Sequence, residues 1–197
     1  AGNYLFSHVE MNILFLVLHR HDRSPGQRYR HEQYIRFLED RGITCDFAPL
    51  LATAAEDRIF YGASTLPKIR VGLKALWRRV KSVWHARTYD AVYIYRDAFF
   101  FGTFFEKWLR RKGVRIIYDF DDAIWLMDEN PNQGVFNKLK NPNKTATICS
   151  LADRVIVGNA YLENYAKQFA KDVVIIPSTI DMEAYQADPS TKKCICI

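Results

Sequence analysis

Cysteine is scarce in this chain, and its placement leaves little room for a disulfide-stabilised protein. The four cysteines form no C-x-x-C pair and give no disulfide framework of the kind found in small secreted domains. We therefore expect reduced thiols and a cytoplasmic protein. The cysteines are Cys45, Cys149, Cys194 and Cys196.

Long apolar runs are also missing. No stretch approaches the roughly 20 consecutive apolar residues that a membrane-spanning helix needs. The first ten residues, AGNYLFSHVE, have neither the basic start nor the apolar core of a signal peptide. We expect Met11 to be the natural start and residues 1–10 to be vector-derived.

What the chain does contain is the composition of an ordinary soluble globular protein. Of its 197 residues, 49% are hydrophobic and 25% are charged, and the length suits one large domain or two small ones. The formal net charge of +6 favours anionic partners, such as phosphates, nucleotides, nucleic acid or an acidic membrane surface. No recognised RNA- or DNA-binding motif is present, so we expect no specific nucleic-acid partner.

Short apolar runs of strand length alternate with longer amphipathic segments. Asn12–Leu18 is apolar on both faces, as a buried parallel strand should be. The helix after it has Ser24 as a cap, Pro25 in the first turn and Gly42 at its end. Such alternation predicts an α/β fold, a Rossmann-like parallel sheet with helices on both faces. The other predicted strands are 43–50, Ala91–Arg96, Val114–Phe120, Arg154–Asn159 and Asp172–Ser178, and the other predicted helices are Lys68–Ala86, Phe99–Lys112, Asn143–Ala152 and Ala160–Ala170.

The end of the chain is first linker-like and then apolar. QADPSTKK has a linker composition, and the CICI after it looks like the beginning of another strand. We therefore expect a domain over residues 11–185. Residues 186–197 would be the hinge and the truncated start of a missing second domain.

The loop after the first strand, HRHDRSPGQRYR, is the first candidate binding site. Gly26 stands at a helix start, where free backbone N–H groups and the positive end of the helix dipole suit a phosphate. The sequence is not G-x-G-x-x-G, so a dinucleotide site has little support. We favour an anion site over a plain surface loop, and the cations near it are Arg20, Arg23, Arg28 and Arg30.

The segment at residues 68–87, KIRVGLKALWRRVKSVWHAR, has seven basic residues and no acidic one. A basic amphipathic helix with tryptophans suits an anionic membrane surface. We expect its apolar face to pack on the sheet, which leaves the basic side free to face lipid head groups. That apolar face would comprise Ile69, Leu73, Leu76, Trp77, Val80 and Trp84.

Arg96 and Asp97 fall at the carboxyl end of the third predicted strand, where functional residues of parallel sheets tend to lie. Arg96 is therefore a candidate ligand-binding residue. The aromatic cluster after it is more typical of a core, although some of its members could line an apolar groove. The cluster comprises Phe99, Phe100, Phe101, Phe104, Phe105 and Trp108.

Three aspartates, Asp119, Asp121 and Asp122, follow the fourth predicted strand in RIIYDFDDAIW. D-x-D occurs in phosphatases of the haloacid dehalogenase type and in metal-dependent nucleotide-sugar enzymes. The phosphatase motif follows the first strand, however, and has Thr or Val where this chain has Ala123. Alternatively, the carboxylates cap the next segment or pair with nearby arginines. Strand alternation places Asp119 and Asp121 on one side of the sheet and Phe120 on the other.

Taken together, the chain from Met11 onward resembles the N-terminal domain of family-four glycosyltransferases, retaining enzymes with the GT-B fold. The resemblance rests on the order and spacing of NILFLVLHR, SPGQRYRHEQYIRFLEDRGI, YDAVYIYRD, VRIIYDFDDAIW, LADRVIVGNAYLENYA and VVIIPSTID. It implies two Rossmann-like domains facing across a cleft, this one holding the sugar acceptor and a missing C-terminal one holding the nucleotide-sugar donor. It also implies transfer without a metal or other cofactor, the nucleotide sugar being a co-substrate.

The resemblance also implies residue roles. The loop at Gly26 would face the donor diphosphate, with Gln27, Arg28 and Arg30 nearby. Many relatives carry T-x-H-D after the fourth strand, with the histidine close to the reacting sugar. Here the matching letters are D-F-D-D, so Asp121 takes the histidine position and becomes the candidate catalytic residue.

The other residues at strand ends would bind substrate. Asp122 takes the position of the aspartate that follows the histidine in relatives, and Asp119 would hold the loop. Asn159 and Ser178 lie at later strand ends and would line the acceptor side.

The leading interpretation is the acceptor-binding half of a glycosyltransferase for surface polysaccharide or glycolipid synthesis, inactive alone. Its acceptor would be a sugar or a lipid-linked glycan, met in the cytoplasm or at the inner membrane face through residues 68–87. One alternative is a phosphohydrolase built on Asp119 and Asp121. Another is a non-catalytic module that binds a membrane or another anion.

Overall fold

The structure is a computed structural model, and it describes residues 10–62, 65–126 and 143–180. Its described residues form a six-stranded sheet in the order β2-β1-β3-β4-β5-β6, and every neighbouring pair is parallel. The predicted Rossmann-like α/β fold is confirmed. The strands are β1 Met11–His19, β2 Ile43–Leu51, β3 Ala91–Tyr95, β4 Ile116–Phe120, β5 Arg154–Val157 and β6 Val173–Ile175. The helices are α1 Pro25–Arg30, α2 Ile35–Glu39, α3 Ala54–Gly62, α4 Thr65–His85, α5 Phe104–Arg111, α6 Lys144–Leu151 and α7 Ala160–Ala166.

Both faces of the sheet are covered, and each face has its own apolar cluster. Successive side chains of a strand point to opposite faces. Leu14 and Leu16 therefore pack with α4, α5, α6 and α7 on one side. Ile13, Phe15 and Val17 pack with α2 on the other. Burial on both faces explains why the strands read as continuous apolar runs.

The strand order reverses at β1. From β1 the chain goes to β2 on one side of it and returns to β3 on the other. The loops that follow β1 and β3 therefore diverge, and they leave a crevice beyond the carboxyl ends of the strands.

The helix predicted between Ser24 and Gly42 is broken. It ends at Arg30, and a 3-10 turn over Glu32–Tyr34 precedes α2. Arg30, His31 and Glu32 are all buried. Since successive residues of an α-helix are about 100° apart, a regular helix cannot turn three consecutive side chains toward one layer. At His31 the backbone leaves helical geometry, with φ −142° and ψ −36°.

The predicted helix start at Phe99 is also wrong. Helix α5 begins at Phe104, and residues 96–103 form an irregular loop. Arg96 and Gly102 both have left-handed backbone conformations, with φ of 61° and 60°, which a right-handed helix cannot include. The sixth strand, predicted to reach Ser178, ends at Ile175.

Helix α4 confirms the predicted helix, but most of the predicted buried face is wrong, since of its six residues only Val80 packs against the core. Leu73, Trp77 and Trp84 are 61%, 65% and 64% exposed. The side chains that face the sheet are instead Val71, Ala75, Arg79 and Val83. These aliphatic side chains are short, so the helix can lie close to the sheet.

Arg79 can join this buried face because its guanidinium finds acceptors there. It donates to the carbonyl oxygens of Ala48, at 3.0 Å, and Val17, at 3.1 Å. Burial lowers the pKa of Arg79 to about 9. The arginine thus bridges the carboxyl-terminal parts of β1 and β2.

Cys45 and Cys149 are free thiols, and burial raises their pKa values to about 11 and about 12. Cys194 and Cys196 lie outside the described residues, as do the predicted hinge and second domain at 186–197. Across 10–62, 65–126 and 143–180, no helix combines the length and apolar character needed to cross a bilayer.

Candidate functional site

A cavity of about 280 Å³ lies at the crevice where the strand order reverses. The ends of β1 and β2 form one side of it, and the loop after β3 forms the other. Such crevices are the usual ligand sites of open parallel sheets. Its lining comprises Leu18, His19, Ser24, Gln27, Leu50, Tyr95, Arg96, Asp97, Phe99, Phe100, Gly102, Ile124, Lys144 and Thr145.

One wall of the cavity is aromatic. Phe100 stacks on Phe60 of α3, with ring centroids 4.8 Å apart, and it also contacts Phe99 at 5.2 Å. These contacts hold a flat apolar surface in place. Phe99 and Phe100 are therefore the members of the predicted aromatic cluster that line a groove, while Phe105 is buried in the core.

A charged pair closes another side. The Lys144 ammonium lies 2.9 Å from the Asp97 carboxylate and donates to the backbone carbonyl of Phe99 at 2.7 Å. The pair thereby ties α6 to the loop after β3 and shapes the cavity rim.

Arg96 lies in the lining, where the sequence predicted a ligand-binding residue. Its left-handed backbone turns the chain sharply at the end of β3. The guanidinium donates to Oδ1 of Asp121 from Nε at 3.2 Å and from Nη2 at 3.0 Å, and Nη2 also donates to Asp122. Two carboxylates thus fix the orientation of the arginine.

Asp121 lies behind Arg96 and does not itself line the cavity. Its Oδ1 also accepts a hydrogen bond from the Tyr95 hydroxyl at 2.9 Å. Oδ2 faces the start of α1, 3.7 Å from where a side-chain carbon on Gly26 would stand. That carbon would clash with the Tyr95 hydroxyl. Only glycine lets α1 come this close to Tyr95 and Asp121.

Below this layer lies a buried ion pair. Arg30 and Asp119 have side chains only 1% exposed, and they are joined by bonds of 2.6 Å from Nη2 and 3.2 Å from Nε. Tyr93 donates its hydroxyl to the same carboxylate. Burial raises the pKa of Asp119, and the bonds from Arg30 oppose that rise. The Arg30–Asp119 pair therefore joins the end of α1 to the end of β4 beneath the loop that carries Asp121.

The remaining predicted residues of the first loop are held by protein partners. Gln27 accepts from the His19 backbone N–H at 2.9 Å and donates to the His19 carbonyl at 3.0 Å, which joins α1 to the end of β1. Arg28 pairs with Asp22 at 2.8 Å.

Arg20 and Arg23 share one carboxylate. They lie 2.9 Å and 3.3 Å from Oδ2 of Asp57. The predicted cluster of four cations is therefore largely neutralised by carboxylates, and of the predicted substrate-binding residues only Gln27 and Arg96 line the cavity.

The structure places the last two predicted residues away from the cavity. Asn159 is the N-cap of α7, and its side chain accepts from the Leu162 N–H at 3.0 Å. Ser178 is exposed in the segment after β6. Its neighbour Thr179 accepts a bond from Gln33 at 3.0 Å, so this segment runs toward the 3-10 turn rather than the cavity.

Sequence reasoning missed several groups at the site, among them Lys144. Tyr93 and Tyr95 bind the aspartates of the neighbouring strand, and their alternation along β3 is the signal that would have found them. His19 lines the cavity, with Nδ1 3.4 Å from Asp57 and Nε2 3.1 Å from the Tyr61 hydroxyl. Burial lowers the pKa of His19 despite Asp57. No residue spacing marks this histidine.

No three His, Cys, Asp or Glu side chains among the described residues are grouped as ligands of a metal ion would be. The three aspartates instead bind Arg30 and Arg96. This agrees with the alternative in which the carboxylates pair with nearby arginines.

Comparisons with known proteins add little to this geometry. No protein-family profile matches the chain, and no curated protein sequence does. Among solved structures, it is similar to the complex of a UDP-glucosyltransferase from Polygonum tinctorium, capable of glucosylating indoxyl, with 3,4-dichloroaniline. The identity is 11% and the TM-score 0.44, over 94% of this chain and 56% of the other. A likeness of this size carries no argument about function.

Proposed function

We propose that the chain is the acceptor-binding half of a glycosyltransferase that uses a nucleotide-sugar donor. The observation that carries the proposal is the cavity at the strand-order reversal, with its stacked aromatic wall and its fixed arginine. An apolar wall with a few fixed polar groups suits a ligand that is part sugar and part apolar. The proposed acceptor is therefore a sugar joined to an apolar group, as in a glycolipid or a lipid-linked glycan.

Arg96 is the proposed acceptor-binding residue, with Gln27 beside it in the lining. Asp121 remains the proposed catalytic residue, since it binds Arg96 of the cavity lining and keeps Oδ2 toward Gly26. Two other aspartates would support Asp121. Asp122 binds Arg96, and Asp119 binds Arg30 in the interior.

The donor half of the reaction lies outside the described residues in this proposal. A second Rossmann-like domain, following residue 186, would hold the nucleotide sugar and face the loop at Gly26. Transfer with retention and without a metal, and a role in surface polysaccharide synthesis in the cytoplasm, follow from the resemblance to family-four enzymes.

The phosphohydrolase alternative has less support. A nucleophilic aspartate must reach the phosphorus atom, and the Asp119 side chain is 1% exposed and bound by Arg30. Opening that site would require breaking a buried ion pair, which costs several kcal/mol, on the order of 3–5.

Saturation-transfer NMR with octyl glucoside tests the proposal. This probe joins a sugar to an apolar tail, and we expect it to receive saturation from the protein and to receive clearly less in Phe100→Ala. Phe37→Ala is the matched control, because Phe37 is an exposed phenylalanine on α2, away from the cavity. Circular dichroism would verify that both variants fold.

Arg96→Gln should weaken the contact at the sugar protons more than at the alkyl chain. Equal signals from the wild type and from both cavity variants would show that the ligand binds elsewhere, and would overturn the proposal.

A further inference from the structure

The outward face of α4 carries an exposed apolar stripe. Along the helix, residues at positions 66, 69, 73, 77 and 84 recur at intervals of three, four and seven, which places them on one side. All of them are large and apolar, and all are more than half exposed. The apolar stripe, so defined, comprises Leu66, Ile69, Leu73, Trp77 and Trp84, with Leu76 at its edge.

The apolar stripe continues onto α5. Trp84 meets Trp108 edge to face at 6.3 Å, and Trp108 contacts the exposed Phe104 at 5.9 Å. The Lys112 ammonium lies over the rings of Trp84 and Trp108, at 5.1 Å and 5.2 Å. Aromatic rings with a cation beside them suit the boundary between an apolar and an aqueous phase.

Cations border the stripe on both sides. Arg70, Lys74 and Lys81 form one exposed row along α4, and Lys107 and Arg111 of α5 are exposed on the other side. No acidic residue occurs between positions 65 and 87. An apolar band between two rows of cations is complementary to anionic lipid head groups over acyl chains.

Helix α4 also reaches beyond the sheet. Arg78 donates to the carbonyl of Leu50, at the carboxyl end of β2, at 2.9 Å. From Thr65 to Arg78 the helix rises about 20 Å, at about 1.5 Å per residue. Much of its N-terminal half therefore extends past the strand ends, where it packs beside α3 and keeps Leu66 and Ile69 exposed.

We propose that the apolar stripe lies in the interface of an anionic membrane, with the flanking cations on the head groups. Charge selects this occupant over a second copy of the chain. Since both borders of the stripe are cationic, pairing it with itself would bring like charges together. The surface is independent of the proposed transferase activity, because none of its stripe residues lines the cavity.

Vesicle sedimentation of the full chain tests the proposal. We expect the pelleted fraction to rise as phosphatidylglycerol replaces phosphatidylcholine, and the tryptophan emission to shift to shorter wavelength as Trp77 and Trp84 leave water. Lys74→Glu with Lys81→Glu should lower partitioning by at least roughly fivefold per cation. Trp77→Ser with Leu73→Ser should abolish the emission shift.

Two controls are matched to these changes. Lys171→Glu reverses an exposed cation outside α4 and α5, and Phe37→Ser removes an exposed apolar side chain from α2. Both should bind as the wild type does. Arg78 and Arg79 are unsuitable targets, because Arg78 binds Glu56 at 2.5 Å and Arg79 is buried.

Equal vesicle binding by the wild type and the stripe variants would overturn the proposal. So would binding without an emission shift, which would indicate charge attraction alone. Dimerisation in sedimentation equilibrium that Trp77→Ser abolishes, with no vesicle binding, would show that a second copy covers the stripe.

Discussion

Arg30 and Asp119 are 89 residues apart in the chain, and their side chains meet where water does not reach them. Removing one partner of such a pair leaves the other charge buried, which typically costs about 3–5 kcal/mol. We therefore expect Asp119→Ala to lower the free energy of unfolding by that amount in urea titrations. The control is Asp172→Ala, which removes the partner of Arg154 in an exposed pair and should cost less than about 1 kcal/mol. Equal losses in the free energy of unfolding would show that burial gives the Arg30–Asp119 pair no greater effect on stability than an exposed pair has.

His31 makes stability depend on pH. It lies among the rings of Phe15, Phe47, Tyr93 and Tyr95, and neither ring nitrogen has a partner among the described residues. Burial, followed by the charge of Arg30, lowers the pKa of His31 to about 3, from the ordinary 6.5. Below 6.5 the unfolded chain binds a proton that the folded chain does not, so the free energy of unfolding falls as the pH drops toward 3.

Replacing His31 by phenylalanine should remove this dependence and keep the ring contacts. The lost slope approaches about 1.4 kcal/mol per pH unit on the acid side of 6.5. Urea unfolding at a series of pH values measures it. His85→Gln, at an exposed histidine, should keep the slope of the wild type. A His31→Phe variant with an unchanged slope would contradict the assignment.

For single residues, the sequence predicted which side of the sheet a side chain faces but not whether it is buried. Alternation correctly placed Asp119 and Asp121 on one side of the sheet and Phe120 on the other. It could not tell which aspartate is buried, because that depends on Arg30 arriving from a distant segment. Local patterns carry no information about such partners.

Helix α4 shows the same limit for a whole element. Its periodicity revealed the apolar stripe, but periodicity alone does not say which side faces the sheet. The buried side has short aliphatic side chains and one arginine, Arg79, whose place depends on backbone carbonyls of β1 and β2. A sequence of helical period cannot show that those carbonyls are near.

Truncating a side chain should cost more stability on the buried face of α4 than on its exposed face. Val83 is fully buried, so Val83→Ala should lower the free energy of unfolding by about 2 kcal/mol. Leu73→Ala removes more carbon atoms from an exposed position and should change stability by less than about 0.5 kcal/mol. Thermal or urea unfolding of the two variants measures both. A larger loss for Leu73→Ala than for Val83→Ala would show that the face predicted from the sequence is the buried one.

For the whole molecule, strand–helix alternation was enough to predict a parallel sheet with helices on both faces. The strand order was not predictable in the same way, since each connection is compatible with either side of the sheet. That order decides where the cavity lies, because the loops after β1 and β3 separate only when β1 and β3 are neighbours. His19 and Lys144 enter the site through this arrangement alone.

If this domain binds only the acceptor and a second domain binds the donor, as proposed, the chain alone should be inactive. Residues 1–197 should release no nucleoside diphosphate from a nucleotide sugar, with or without octyl glucoside, in a coupled assay. The control is the same assay on a complete two-domain glycosyltransferase. Robust turnover by this chain alone would contradict a donor site outside it.

Arg96 has a further consequence for anyone who selects variants of this protein. A side chain in the left-handed region, at φ 61°, costs roughly 1–2 kcal/mol compared with glycine. A screen for heat resistance alone would therefore favour glycine or asparagine at position 96, as long as Asp121 and Asp122 can turn to water. Variants enriched in this way would have lost the cation at the cavity. Directed evolution of this domain should thus score ligand capture and melting temperature in the same round.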